Sequence, residues 1–272
     1  MGLALTERLS AQLGQRFLLV NKPGANGAIG TAAAARAAPD GYTLLFTAAV
    51  SMVVNPLIQA QTGYTLKSFE HICQTFSNEM VLVARPDSPL KSANDLIATA
   101  VEKPGILNYG ILGIGSIPHL VMVELAQVAK VKLNAVPFKG DADVVQQVRG
   151  GHVDFGAVLL GSAAVSELRI LGLFSKRRNP SVPQVPTLRE IGYDVAPSSI
   201  GGLSAPTGLP ADVRLRLGAA CQEATASEPF AKLMRSFHQP IDYYAGDAEY
   251  AEALAQDLVD KSRLLQQLEM TK

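Results

Sequence analysis

Apolar positions at Leu5, Leu9 and Leu13 recur every fourth residue and run into Gly14, the pattern of an amphipathic helix closed by a glycine. The apolar run 17–20 predicts a short buried strand, and the Asn, Pro and Gly residues of 21–27 predict a loop. An alanine-rich helix over 29–38 and a strand over 42–46 follow, separated by Pro39, Asp40 and Gly41. The same alternation predicts strands at 80–84, 107–110, 135–138 and 153–159, with helices at 118–129 and 141–148. Ser92 with Asp95, and Thr187 with Glu190, have capping-box spacing; the first opens a helix that runs to about 101. The last stretch predicts helices over 211–226, 229–237 and 247–268, the last with a buried stripe of Leu254, Leu258, Leu265 and Leu268. Strand and helix in alternation is the signature of an α/β fold with parallel sheets covered by helices.

Two segments resemble each other: 81–89 and 202–210 each read as a short strand, a proline-bearing turn and the start of a helix. They fit a chain that leaves one lobe and later returns to it. The expected organisation is a first lobe of 1–84 plus 205–272, a second, inserted lobe of 85–204, and two connecting strands acting as a hinge.

The length, 272 residues, is enough for two domains without staples, and 48% apolar with 18% charged residues is a globular balance. Lys and Arg number 24 against 24 Asp and Glu, so no basic excess supplies affinity for nucleic acid. The longest apolar run, 44–54, is broken by Thr47 and Ser51 and falls short of the roughly 20 residues that span a bilayer, so no membrane insertion is expected. Cys73 and Cys221 are far apart and outside any C-x-x-C, which predicts free buried thiols. With Glu7 and Arg8 where a leader would be apolar, 1–9 does not read as an export signal.

Catalytic machinery is hard to find. The serine of Gly113-Ile114-Gly115-Ser116 does not sit in a nucleophile elbow, and no P-loop is present. His71, His119, His152 and His238 lie in different elements without carboxylate or cysteine at ligand spacing, so neither a metal nor a cofactor is expected. The glycines of 24–30 follow G-x-x-G-x-x-G rather than the dinucleotide fingerprint, and Pro23 interrupts the turn; they read as packing and turn residues. Gly113 to Ser116 follow a strand and precede a helix, where free amides and the positive helix end can hold a carboxylate, with His119 as a further donor. On the residues alone a structural glycine turn fits as well. Lys139 and Gly140 form a similar, weaker loop.

Several motifs, in order along nearly the whole chain, resemble the tripartite tricarboxylate transporter substrate-binding proteins, the Bug or TctC-type receptors. They are the segments 20–30, 35–45 and 54–56, the strand 107–110 with Gly113, Gly115, Ser116 and His119, then 136–140, 150–154, 185–187 and 205–210. The resemblance implies a two-lobed type II periplasmic-binding fold that closes on a small carboxylate, without catalysis or cofactor. It implies a periplasmic monomer that serves the membrane components of a tripartite transporter; with Met1 as its start the chain would instead stay in the cytoplasm. The implied ligand residues are Ala48, Ala49, Val50 and Ser51 in the first lobe, and Gly113, Ile114, Gly115, Ser116, His119, Lys139, Gly140 and Val158 in the second. The sequence departs from the family pattern in four places. The first strand and its glycine-rich loop are missing before Met1, which removes a ladder partner from 17–20 and 42–46. Residues 48–51 retain a single hydroxyl. The aspartate usual near Val158 is replaced, and the chain is shortened between Ser162 and Leu168. Two other functional readings stand beside the receptor: a truncated family member that binds nothing, and a small-molecule enzyme on the same scaffold.

Overall fold

The computed structural model describes residues 1–59, 61–196, 199–240, 243–267 and 270. In chain order, α1 (Gly2–Leu13), α2 (Ala28–Ala35), β1 (Leu45–Ala48), α3 (Ala49–Val53), α4 (Asn55–Ile58) and β2 (Phe69–Ser77) come first. Then follow β3 (Met80–Ala84), α5 (Ala93–Glu102), β4 (Asn108–Ile111), α6 (Ile117–Val128), β5 (Asn134–Pro137), α7 (Asp141–Gly150), β6 (Phe155–Leu159), α8 (Leu160–Ala164) and β7 (Arg169–Phe174). The chain ends with β8 (Ile200–Pro206), α9 (Ala211–Ala226), α10 (Glu228–Ser236) and α11 (Asp247–Gln267). Leu268 of the expected stripe lies outside the described residues.

Two units result, Met1–Ser77 with Ser199–Lys272, and Asn78–Ser198. The expected boundaries at 84/85 and 204/205 fall late at both crossings, and the reason is ladder pairing. β3 pairs with β6 and β7, so it belongs to the second unit; β8 pairs with β1 and β2, so it belongs to the first.

The first unit holds a three-stranded sheet in the order β1-β8-β2, and both pairings are antiparallel. The parallel arrangement expected here is therefore corrected, because β1 and β2 meet the returning strand β8 and not each other. Two register shifts in β2 bring its backbone onto β8. A Cβ at Gly202 would lie 2.0 Å from the Cys73 carbonyl oxygen, so the position takes no side chain. Residues 17–20 form no strand: they have no ladder partner, and Leu18 and Val20 are 70% and 68% exposed. β1 starts later than expected and keeps one neighbour.

Packing in this unit follows the helix periodicity. Leu5 and Leu9 of α1 are buried against Leu203, Leu217 and Phe230, and Gly14 ends α1 with φ 64°. The cysteines are not free thiols: Cys73 of β2 and Cys221 of α9 form a disulfide with Cα atoms 6.6 Å apart. Folding brings them together across 148 residues, a proximity that motif spacing cannot reveal. On α11 Leu254 and Leu265 are buried as expected and Leu258 is half-buried, and Tyr250 and the Asp257–Lys261 ion pair share the buried stripe.

The second unit carries a five-stranded sheet in the order β5-β4-β6-β3-β7. β4 runs parallel to β5 and β6, whereas β3 is antiparallel to β6 and β7. Val81, Val83 and Val158 from the strands meet Val144 and Val148 from α7 in its core. Thr187 and Glu190 exchange bonds in both directions, a full capping box, whereas Ser92 Oγ accepts the Asp95 amide but the Asp95 carboxylate takes the Lys91 amide instead of the Ser92 one.

Candidate functional site

The parallel strands β4, β5 and β6 end on one edge of the second sheet, where loops leave for α6, α7 and α8. The β4 loop turns through Gly113 and Gly115 at φ 112° and 77°, conformations that favour glycine. Ser116 then caps α6: its Oγ accepts the His119 amide at 3.4 Å and donates to the Gly113 carbonyl at 2.7 Å. The Gly115 amide donates to His119 Nδ1 at 3.2 Å.

These bonds use several of the expected donors inside the loop. Ser116 and His119 are buried, and Ile114 is exposed at the tip. Pro118 has no amide hydrogen, and Leu120 N donates to the Ser116 carbonyl. Among the described residues the amides of Ile114 and Ile117 have no acceptor, which leaves them at the positive end of a 12-residue helix. Burial lowers the His119 pKa, so the ring is neutral. Because Nδ1 is an acceptor, the ring proton sits on Nε2 and makes it a donor. The loop thus offers uncharged donors suited to one carboxylate.

On the next strand end, Lys139 is exposed and Gly140 precedes α7 in an extended conformation, φ −174°. Val158 is fully buried in β6, facing the core and not a ligand.

Sequence reasoning passed over Asp141, the first residue of α7. Its Oδ2 accepts the Leu159 amide at 3.0 Å and the Ser162 hydroxyl at 2.9 Å, while Oδ1 is buried without a partner. β4 lies between β5 and β6, so a residue just after β5 that bonds the end of β6 must reach across the exit of β4. The carboxylate therefore lies on the same sheet edge as the Gly113–Ser116 loop, where β4, β5 and β6 end. Burial raises its pKa, and the bonds from Leu159 and Ser162 oppose that shift. An acid in a first helical turn is the only trace it leaves in sequence.

In the first unit, Ala49 and Ser51 are buried while Ala48 and Val50 are half-buried. The Ser51 hydroxyl donates to the Ala48 carbonyl at 3.0 Å, lies 2.9 Å from Thr47 Oγ1 and accepts from Thr31 at 3.1 Å. The one hydroxyl of the 48–51 loop is thus engaged within the protein. Asn55, also buried, donates to the carbonyls of Ala25 and Asn26, which follow Gly24 in a run of four positive φ angles. The 24–27 segment is therefore a turn clamped by α4, in keeping with the packing role its glycines suggested.

Among the described residues no three His, Cys, Asp or Glu converge on one point, and no helix is long and apolar enough to cross a membrane. A cavity of roughly 100 Å³ lined by Arg85, Leu107, Val153 and Asp154 lies where β4 and β6 begin, on the edge away from the Gly113–Ser116 loop.

The family model described as tripartite tricarboxylate transporter family receptor matches residues 3–270. A Cupriavidus necator protein, the UPF0065 protein in gbd 5' region, is 32% identical over 98% of this chain and 82% of its own length. The solved periplasmic binding protein BugD superposes with a TM-score of 0.86 at 26% identity, over 100% of this chain and 93% of that one. An R. palustris protein solved with adipate superposes with a TM-score of 0.88 at 23% identity, over 97% and 90% of the two chains, a likeness of fold.

Proposed function

The chain belongs to the tripartite tricarboxylate transporter receptor family, and from that premise we propose that it is an extracytoplasmic solute receptor for a small carboxylate. It acts as a monomer that delivers its ligand to the membrane components of a tripartite transporter and performs no chemistry on it. The loop Gly113–Ser116 with His119 carries this reading: it sets amides without acceptors and a neutral imidazole N–H at the start of a 12-residue helix. Such a donor set holds an anion while letting it leave again, which suits a receptor. The adipate bound by the R. palustris neighbour is a ligand of the same chemical class. The Cys73–Cys221 disulfide supports an oxidising compartment and hence the periplasm.

The test is a ligand-induced melting shift over mono-, di- and tricarboxylates, followed by calorimetric titration of the strongest. Saturable binding of at least one acid, without turnover, is expected. A second reading, a family member that has lost its ligand, is favoured by the inward Ser51 hydroxyl. It predicts a cooperative melt that no acid moves.

A further inference from the structure

We propose that Asp141 sets the charge class of the ligand. Its carboxylate fills an anion position at the end of β6, so the site takes one carboxylate at the Gly113–His119 loop. The other end of the ligand, toward Asp141, is then neutral or bears a hydrogen-bond donor. The inference rests on the receptor reading and narrows it.

The argument is geometric. The Leu159 amide and the Ser162 hydroxyl are two donors converging at the end of β6, and both are held by one oxygen of Asp141. A second ligand carboxylate arriving there meets donors already in use. It also meets a fixed carboxylate whose other oxygen is buried and unpaired. Like charges brought together away from water repel strongly. Asp143, half-buried in the same helical turn, adds to the negative field. Lys139 is exposed, so solvent screens its charge. Burial already pushes the Asp141 pKa up, which is the cost of one charge at this place. By contrast, an amide or hydroxyl on the ligand brings a donor, which a carboxylate can accept.

Calorimetric titration of the wild type and Asp141→Asn with matched pairs of acids tests this: succinate and succinamate, glutarate and glutaramate, adipate and adipamate. The asparagine keeps an acceptor for Leu159 and Ser162 and removes the charge; Asp141→Ser serves as a second variant should the first melt early. The wild type is expected to favour the monoamide of a bound pair by about tenfold, and the variant to lose that preference. A wild type that prefers the dicarboxylate, or an unchanged ratio in a folded variant, overturns the role of Asp141 alone. Absence of binding by any acid to either protein overturns the receptor reading and this inference with it.

Discussion

The Gly115 amide and His119 Nδ1 share a hydrogen bond of 3.2 Å, and that contact determines which imidazole nitrogen carries the proton. Glutamine at 119 can reproduce the pair, with its oxygen accepting from Gly115 and its nitrogen donating outward; leucine can do neither. His119→Leu is expected to weaken the best-binding carboxylate by about tenfold or more, and His119→Gln by much less. Calorimetry at neutral pH reads both. Because burial lowers the His119 pKa, the ring stays neutral and the wild-type affinity should stay level near neutrality. Equal losses in the two variants would remove the donor role.

The disulfide joins β2 to α9 across 148 residues, so reducing it frees a large loop in the unfolded chain. Its removal, by reductant or by Cys73→Ala with Cys221→Ala, is expected to lower stability by roughly 2–5 kcal/mol in urea melts. Thiol titration of the denatured, unreduced protein should find no reactive cysteine. Two reactive thiols would refute the pairing.

His71 lies against the Tyr250 ring and 3.0 Å from Ser204 Oγ, and burial brings its pKa down to about 4. The unfolded chain, with a histidine pKa near 6.5, therefore binds more protons than the folded one between those values, and stability rises with pH across that window. The loss on going from pH 7 to pH 4 amounts to at most about 3 kcal/mol from this residue. His71→Asn should flatten the pH profile of the urea midpoint between pH 4 and 6.5; an unaltered slope would show that other groups cause it.

Asp257 and Lys261 form an ion pair at 2.6 Å with side chains only 2% and 5% exposed. Lys261→Met strands a buried carboxylate and is expected to cost about 3–5 kcal/mol. The double variant Asp257→Leu with Lys261→Met should cost less than that single change, since both charges leave together. Additive losses in denaturant melts would deny the coupling.

Legibility in the sequence followed the range of the interaction. Helices α1, α5 and α6 declared themselves through local spacing, caps and glycines, and the Gly113–His119 turn was readable because its bonds span only a few residues. Residues 17–20 looked like a strand because they are apolar, yet a strand exists only through its neighbour, and none pairs with them. Val158 was placed at the ligand by family position, whereas in β6 it packs into the core with Val144 and Val148. Asp141 escaped notice because its partners, Leu159 and Ser162, come from a different strand end. The repeated strand-turn-helix segments announced the return of the chain, but the disulfide, the boundaries by residue and the antiparallel first sheet depend on which strands pair, which local spacing does not encode.

That return also imposes a timetable. Every ladder contact of the first sheet passes through β8, at Ile200–Pro206, so β1 and β2 remain without a partner until the last third of the chain has been synthesised. Residues 78–198 form a contiguous unit that can fold as soon as it emerges, whereas the opening residues must wait, exposed, for an element made long after them. A ribosome-bound chain of this protein is thus finished in the middle before it is finished at the start.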